Sequence, residues 1–135
     1  MFYCPLGLNL TMVFAAALAS IAFGGVWYTV FFGKAWAAAL GKTKDQLGNP
    51  WTGLAVMFVS TLVTAMALNF LILYLDITRI SGGLKLGLLA GLGFTAAAIL
   101  TNDAYEGRPA RLSFINIGYQ LISIILMSVL LAKFR

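Results

Sequence analysis

Four long stretches without a charged side chain dominate this sequence. Residues 1–33, 51–75, 86–102 and 112–132 contain no Asp, Glu, Lys or Arg. A helix rises about 1.5 Å per residue, so about 20 residues are enough to cross the hydrocarbon core of a bilayer. The stretches therefore predict four transmembrane helices within a single domain, residues 1–135, with spans at about 8–31, 51–75, 83–105 and 112–132.

Composition supports the same class. Hydrophobic residues make up 61% of the chain and charged ones 10%, whereas a soluble domain carries about 25% charged residues. The mean hydropathy is +0.96. We predict an all-α, polytopic integral membrane protein, an antiparallel bundle of four helices surrounded by membrane lipids. The bacterial inner (cytoplasmic) membrane is the expected location.

The segment between the first two spans differs from the rest. Residues 34–48 are too polar to span, and Trp36, Leu40 and Leu47 share one helical face opposite Lys34 and Asp45. This pattern predicts a short amphipathic segment at the membrane interface. The nine basic residues divide almost evenly between the two predicted sides, so the orientation stays open. Aromatic and basic residues near the span ends are predicted as interface anchors: Trp27, Tyr28, Lys34, Trp36, Trp51, Arg108 and Arg111.

Small residues recur every four positions on two of the predicted spans, which favours close approach of a neighbouring helix. These predicted helix-packing faces are Ala16, Ser20 and Gly24 on the first helix, and Gly83, Gly87, Gly91 and Thr95 on the third. The third helix is expected to begin near Gly83, after a tight turn at Ser81-Gly82-Gly83 in which Ser81 can cap the helix.

Polar residues form a stripe along the fourth span. Its members, with two amides from other spans, are Asn69, Asn102, Ser113, Asn116, Tyr119, Gln120 and Ser123. Polar groups in a bilayer must face protein or water. Two interpretations remain open: the stripe lines a path for an ion or small polar solute, or it forms interhelical hydrogen bonds with Asn69, Asn102 or Tyr28.

The residue types in the sequence do not favour a catalytic, metal or cofactor site. The chain has no histidine and one cysteine, so we expect no metal site, no cofactor site and no Ser-His hydrolase chemistry. Asp103 and Glu106 are the only closely spaced carboxylates, and we interpret them as ordinary interface charges. The net charge of +5 is scattered among short segments, which argues against nucleic-acid binding. We do not expect an enzyme.

With these residues in view, the chain resembles the DUF1761 family of small bacterial and fungal membrane proteins. The resemblance rests on four segments: Trp27-Tyr28-Thr29, Phe32-Gly33-Lys34-Ala35-Trp36, Glu106-Gly107-Arg108-Pro109 and Asn116-Ile117-Gly118-Tyr119. It implies the four-span architecture and no particular activity. Val30 stands where the family pattern has a proline, and Gln120 stands where a histidine is common.

Two functional hypotheses follow. The first is a non-catalytic membrane component, either an accessory subunit of a larger membrane complex or a small homo-oligomer, because the small-residue faces favour other transmembrane helices as partners. The alternative is a small channel or carrier that moves an ion or small polar solute along the polar face of the fourth helix.

Overall fold

The computed structural model describes residues 8–31, 33–34, 38 and 50–135. Within these ranges the chain is helical and has no strand. Most of the predicted interfacial segment 34–48, including Trp36, lies outside the described residues. The first helix is Leu10–Val26, and a π-helical turn at Trp27–Phe31 continues it. The second is Pro50–Tyr74, and the fourth is Ala110–Lys133. The third helix has three consecutive parts: Ile80–Ala90, the π-helical Gly91–Ala96, and Ala97–Glu106.

All four helices are long and apolar enough to cross a membrane. The candidate spans are Leu10–Val30, Trp51–Tyr74, Ile80–Glu106 and Ala110–Lys133. Large apolar side chains such as Val30, Phe94 and Phe114 point outward and are exposed. Exposed apolar surface on this scale is typical of a chain that is surrounded by lipid. The helices therefore support a multi-pass membrane protein.

Local signals explain where the helices begin and end. Asn9 caps the first helix, because its side-chain oxygen accepts a hydrogen bond from the Met12 backbone N–H at 3.2 Å. Gly107 ends the third helix in the left-handed conformation, with φ of 70°. Pro109 then precedes the fourth helix as its N-cap residue, so the connection between the two helices is short.

The third helix begins at Ile80, three residues before the predicted start at Gly83. The predicted turn at Ser81-Gly82-Gly83, with Ser81 as the cap, is wrong, since all three residues lie within the helix. The Gly83 N–H donates to the Arg79 carbonyl at 3.1 Å. Gly83 is also buried against the fourth helix. This packing, together with the need to satisfy backbone groups in an apolar medium, outweighs the turn preference of these residues.

The fourth helix is the centre of the fold, because it packs against the other three. The buried core gathers around its C-terminal half. On the second helix, burial is confined to the C-terminal half, at Ala65, Leu68, Asn69 and Ile72. The core residues are Val13, Ala16, Ala17, Ala65, Leu68, Ile72, Leu86, Ile124, Met127, Leu131 and Ala132.

Polar contacts close this end of the bundle. The Asn9 backbone N–H donates to the Asn69 side-chain oxygen at 3.0 Å, and the Asn9 amide donates to the Phe134 carbonyl at 3.4 Å. Arg135 forms an ion pair with Asp76 at 2.8 Å and donates to the Ile77 carbonyl at 3.2 Å. The end of the bundle that contains residues 9, 69 and 134 is thus tied together. We call it the closed end.

Candidate functional site: a polar crevice

The predicted packing face of the third helix lies directly against the fourth helix. A Cβ atom added at Gly83 would come within 2.8 Å of the Ser128 carbonyl oxygen. At Gly87 it would come within 2.7 Å of the Ile125 Cα atom. The Ser128 hydroxyl donates to the Gly83 carbonyl at 2.7 Å, which adds a hydrogen bond to the close approach. Gly91 is buried in the same contact, and Thr95 is half-buried.

The packing face of the first helix is also occupied within the chain. Ala16, Ser20 and Gly24 are buried. The Ser20 hydroxyl is hydrogen-bonded to the Ser123 hydroxyl of the fourth helix. A Cβ atom at Gly24 would come within 2.9 Å of the Tyr119 hydroxyl oxygen. Both small-residue faces are therefore used to bring helices of this chain together.

Several residues of the predicted polar stripe have partners on other helices. The Ser113 hydroxyl donates to Asp103 on the third helix at 2.6 Å. The Tyr28 hydroxyl donates to the Asn116 side-chain oxygen at 2.7 Å. The Tyr119 hydroxyl donates to the Ser20 carbonyl at 3.4 Å. The N-terminal half of the fourth helix is thus hydrogen-bonded to the first and third helices.

The three amides of the stripe outside these contacts have different surroundings. Asn69 is 1% exposed and lies at the closed end, away from the fourth-helix stripe, where its Nδ2 atom has no hydrogen-bond partner among the described residues. Asn102 and Gln120 are exposed, and both line a cavity. Asn102 and Gln120 are therefore the members of the stripe that face open space, and Gln120 is the one on the fourth helix.

The predicted interface anchors fall into two groups. Trp27 and Tyr28 are half-buried and contact the fourth helix, where the Trp27 indole N–H donates to the Ile115 carbonyl at 3.1 Å. The π-helical turn that starts at Trp27 presents both side chains to the fourth helix. Lys34, Trp51, Arg108 and Arg111 are exposed. Trp51 and Arg111 lie at the start of the second and fourth helices, and Arg108 lies in the connection between the third and the fourth.

A cavity of about 370 Å³ lies between the first, second and fourth helices. We call it the inner cavity. It exists because the second helix packs only through its C-terminal half, so its N-terminal half stands away from the bundle. The inner cavity is lined by Ser20, Tyr28, Gly53, Val56, Met57, Ser60, Thr61, Thr64, Tyr119, Gln120, Ser123 and Met127.

A second cavity of about 340 Å³ adjoins the first, because Tyr28 and Gln120 line both. We call it the outer cavity. It lies toward the connection between the third and fourth helices, away from the closed end. It is lined by Tyr28, Ile99, Asn102, Asp103, Glu106, Arg108, Asn116 and Gln120. Together the two cavities form a polar crevice that starts near the ends of the spans and reaches the middle of the fourth helix.

Asp103 departs from the sequence interpretation. It was interpreted as an ordinary interface charge, but it is 6% exposed and accepts the Ser113 hydrogen bond. Its side chain turns toward the fourth helix because Asp103 shares a helical face with Ile99 and Asn102, which line the same cavity. Glu106 is exposed and pairs with Arg108 at 2.7 Å, as expected for an interface charge.

Sequence reasoning also missed the hydroxyl residues of the second helix as part of a site. Ser60, Thr61 and Thr64 continue, toward the N-terminus, the face that becomes buried at Ala65 and Leu68. Their spacing could have indicated this, since polar residues on an otherwise buried face of a transmembrane helix need a partner. In the described part of the chain, no group of three His, Cys, Asp or Glu residues is placed to hold a metal ion.

Comparison with known proteins gives one family. The family model described as a protein of unknown function, DUF1761, matches residues 11–132. No curated protein and no solved structure matches the chain. The matched region includes the whole crevice and all four helices except the first residue, Leu10, and the last, Lys133. The chain belongs to the DUF1761 family.

Proposed function

We propose that this chain is a non-catalytic, multi-pass protein of the bacterial inner membrane that acts as a small carrier, binding a small polar solute in the crevice. The four helices would cross the bilayer as an antiparallel bundle. Two sets of contacts support that arrangement. Trp27, near the end of the first helix, bonds to Ile115, near the start of the fourth. Asn9, at the opposite end of the first helix, bonds to Phe134.

The observation that carries the proposal is the lining of the inner cavity at mid-span. Ser20, Thr61 and Ser123 all lie near the middle of their helices. Placing polar groups at this depth is costly unless they meet protein, water or a ligand. Gln120 has no hydrogen-bond partner among the described residues, and its amide faces both cavities. The Ser20 and Ser123 hydroxyls bond to each other. A hydrogen-bonding solute, with its water, would satisfy Thr61 and Gln120.

The closed end favours a carrier over an open channel. Between the inner cavity and the closed end, Leu68, Ile72 and Leu131 are buried in a tightly packed apolar core. The Asn9 contacts with Asn69 and Phe134 lie beyond that core. A solute that entered the crevice would meet this barrier, and passage would require a second conformation in which the helices separate there.

Uptake into liposomes tests this proposal. The reconstituted protein is given a panel of labelled small solutes: a neutral one (urea), a zwitterion (glycine), a cation (guanidinium) and an anion (acetate). We expect uptake of at least one solute above that of empty liposomes. Gln120→Leu should reduce that uptake by about tenfold, as expected when a hydrogen-bonding group of a binding site is removed.

The matched control is Ile122→Leu, at an exposed position of the same helix that lines neither the inner nor the outer cavity. It should leave uptake unchanged. If no member of the panel enters faster than it enters empty liposomes, the carrier proposal is wrong. Equal uptake by the parent protein and Gln120→Leu would also overturn the role given to the crevice.

A membrane component remains the second proposal. The observation that favours it is the N-terminal half of the second helix, where positions 51–56 are all exposed. A helix from an accessory-complex partner or from a second copy could fill the crevice in place of a solute. The small-residue faces no longer motivate such a partner, because both are occupied within the chain. Native mass spectrometry of gently solubilised membranes would detect the partner, and a free monomer would reject it.

A further inference from the structure

The outer cavity holds a buried carboxylate whose charge is only partly balanced. One oxygen of Asp103 accepts the Ser113 hydrogen bond at 2.6 Å. The other lies 3.8 Å from the Arg108 Nε atom, beyond hydrogen-bonding distance, and accepts no hydrogen bond from a described residue. A buried carboxylate is costly when it lacks a close cation or a full set of donors.

Arg108 does not supply the missing charge, because it is already engaged. Its Nε atom lies 2.7 Å from Glu106, so this carboxylate holds the guanidinium more closely than Asp103 does. Two carboxylates and one guanidinium leave one negative charge at the outer cavity. Of the described residues that line it, none except Arg108 is basic.

A positive charge that balances Asp103 would find more polar neighbours in the outer cavity than elsewhere around this carboxylate. On its other side lies a smaller cavity of about 270 Å³, where Asp103 meets Arg108, Ser113 and four apolar side chains: Leu100, Ala104, Ala110 and Phe114. The outer cavity is instead lined by the amide side chains of Asn102 and Gln120 and by Tyr28. Amide oxygens accept hydrogen bonds from N–H groups, and an aromatic face attracts a cation.

We propose that the outer cavity binds a small organic cation with N–H donors, of the ammonium or guanidinium class, with Asp103 as its counter-charge. The proposal rests on the carrier function given above and names its substrate class. The cation would lie between Asp103, the two amides and Tyr28, and would complete the charge balance that Arg108 leaves unfinished. An anion would fit poorly, because it would have to displace Glu106 from Arg108 and approach Asp103.

Three planar probes of similar size separate charge from shape. Guanidinium is cationic, urea is neutral and acetate is anionic. Equilibrium dialysis of the purified protein in nanodiscs measures the binding of each. We expect guanidinium to bind at least about tenfold more tightly than urea or acetate, which is the difference that one charge-assisted hydrogen-bonded contact typically supplies.

Asp103→Asn keeps the size of the side chain and removes its charge, and it should weaken guanidinium binding by about tenfold or more. The matched control is Asp76→Asn at the closed end, where the carboxylate is exposed and pairs with Arg135. That variant should bind guanidinium as the parent protein does. Should Asp103→Asn fail to fold, the comparison of the three probes on the parent protein still decides the outcome.

Urea or acetate binding as tightly as guanidinium would overturn the cation proposal, as would the absence of guanidinium binding. Equal binding by Asp103→Asn and the parent protein would do the same. Each of these results leaves the carrier proposal standing if any solute enters liposomes. If no solute enters, the carrier function fails independently of the probe comparison.

Discussion

Gly87→Leu should separate the third helix from the fourth and lower the free energy of unfolding by about 3 kcal/mol or more, at or beyond the upper end of typical overpacking costs. A Cβ atom at Gly87 would lie 2.7 Å from the Ile125 Cα atom and 3.3 Å from its backbone nitrogen. Backbone atoms cannot move aside as a flexible side chain can, so the helix itself must shift. Thermal unfolding in detergent, together with the monodisperse fraction on size-exclusion chromatography, measures the loss.

Gly93→Leu on the same helix is the control. No atom lies within 4 Å of a Cβ atom at Gly93, and the residue is exposed. Leucine there adds apolar surface on the outer side of the bundle, and we expect a change within about 0.5 kcal/mol. Equal losses from the two variants would show that Gly87 is not a packing contact, and so would an unaffected Gly87→Leu protein.

Tyr119→Ala should lower the free energy of unfolding by about 3–5 kcal/mol, the range for removal of a large buried aromatic side chain. Tyr119 is 5% exposed. Its ring centroid lies 6.0 Å from that of Phe23, in an edge-to-face arrangement, and 5.2 Å from that of Tyr28. Removing the ring would leave a void where the first and fourth helices meet at Gly24. Equilibrium unfolding in mixed detergent measures the difference.

Two companion variants show which part of Tyr119 matters. Tyr119→Phe should cost less than about 1 kcal/mol, because the hydroxyl makes only a long bond of 3.4 Å to the Ser20 carbonyl. Tyr105→Ala removes the same side chain from a position that is 91% exposed and should change stability by no more than about 0.5 kcal/mol. A loss in Tyr105→Ala as large as that in Tyr119→Ala would contradict the assigned packing.

The four helices could be predicted from the sequence because a long uncharged stretch forms a helix in lipid whatever its tertiary contacts. An uncharged stretch such as 51–75 has few alternatives to a helix in lipid, and the structure has a helix at Pro50–Tyr74. The start of the third helix could not be predicted in the same way. Ser81 and Gly82 favour a turn locally, and only the packing of Gly83 on the fourth helix extends the helix to Ile80.

The polar wall of the crevice on the fourth helix could be predicted from the sequence, but the partners of its residues and the shape of the crevice could not. Helical spacing places Ser113, Asn116 and Ser123 on one side of the fourth helix, but their partners depend on how the first and third helices lie beside it. The same limit explains Asp103: its place near a helix end suggests exposure, whereas its side chain is buried against Ser113. The inner cavity depends on the second helix standing away at its N-terminal half, and no residue pattern encodes that separation.

Carrier function requires that water reach the middle of the bundle through the crevice, from one side. Thiol accessibility tests it most directly, with Thr61→Cys and Val63→Cys each placed in a Cys4→Ala background, since Cys4 is the one native cysteine. Thr61 lines the inner cavity, whereas Val63 lies at nearly the same depth on the exposed outer face. The thiolate is the nucleophile that attacks a thiol reagent; it forms in water and is suppressed in apolar surroundings. A charged, water-soluble reagent, applied in turn to right-side-out and inverted membrane vesicles, should therefore modify Thr61→Cys in one of the two and leave Val63→Cys unmodified in both. A Thr61→Cys protein that is unreactive in both, or equal modification of the two variants, would contradict water access through the crevice.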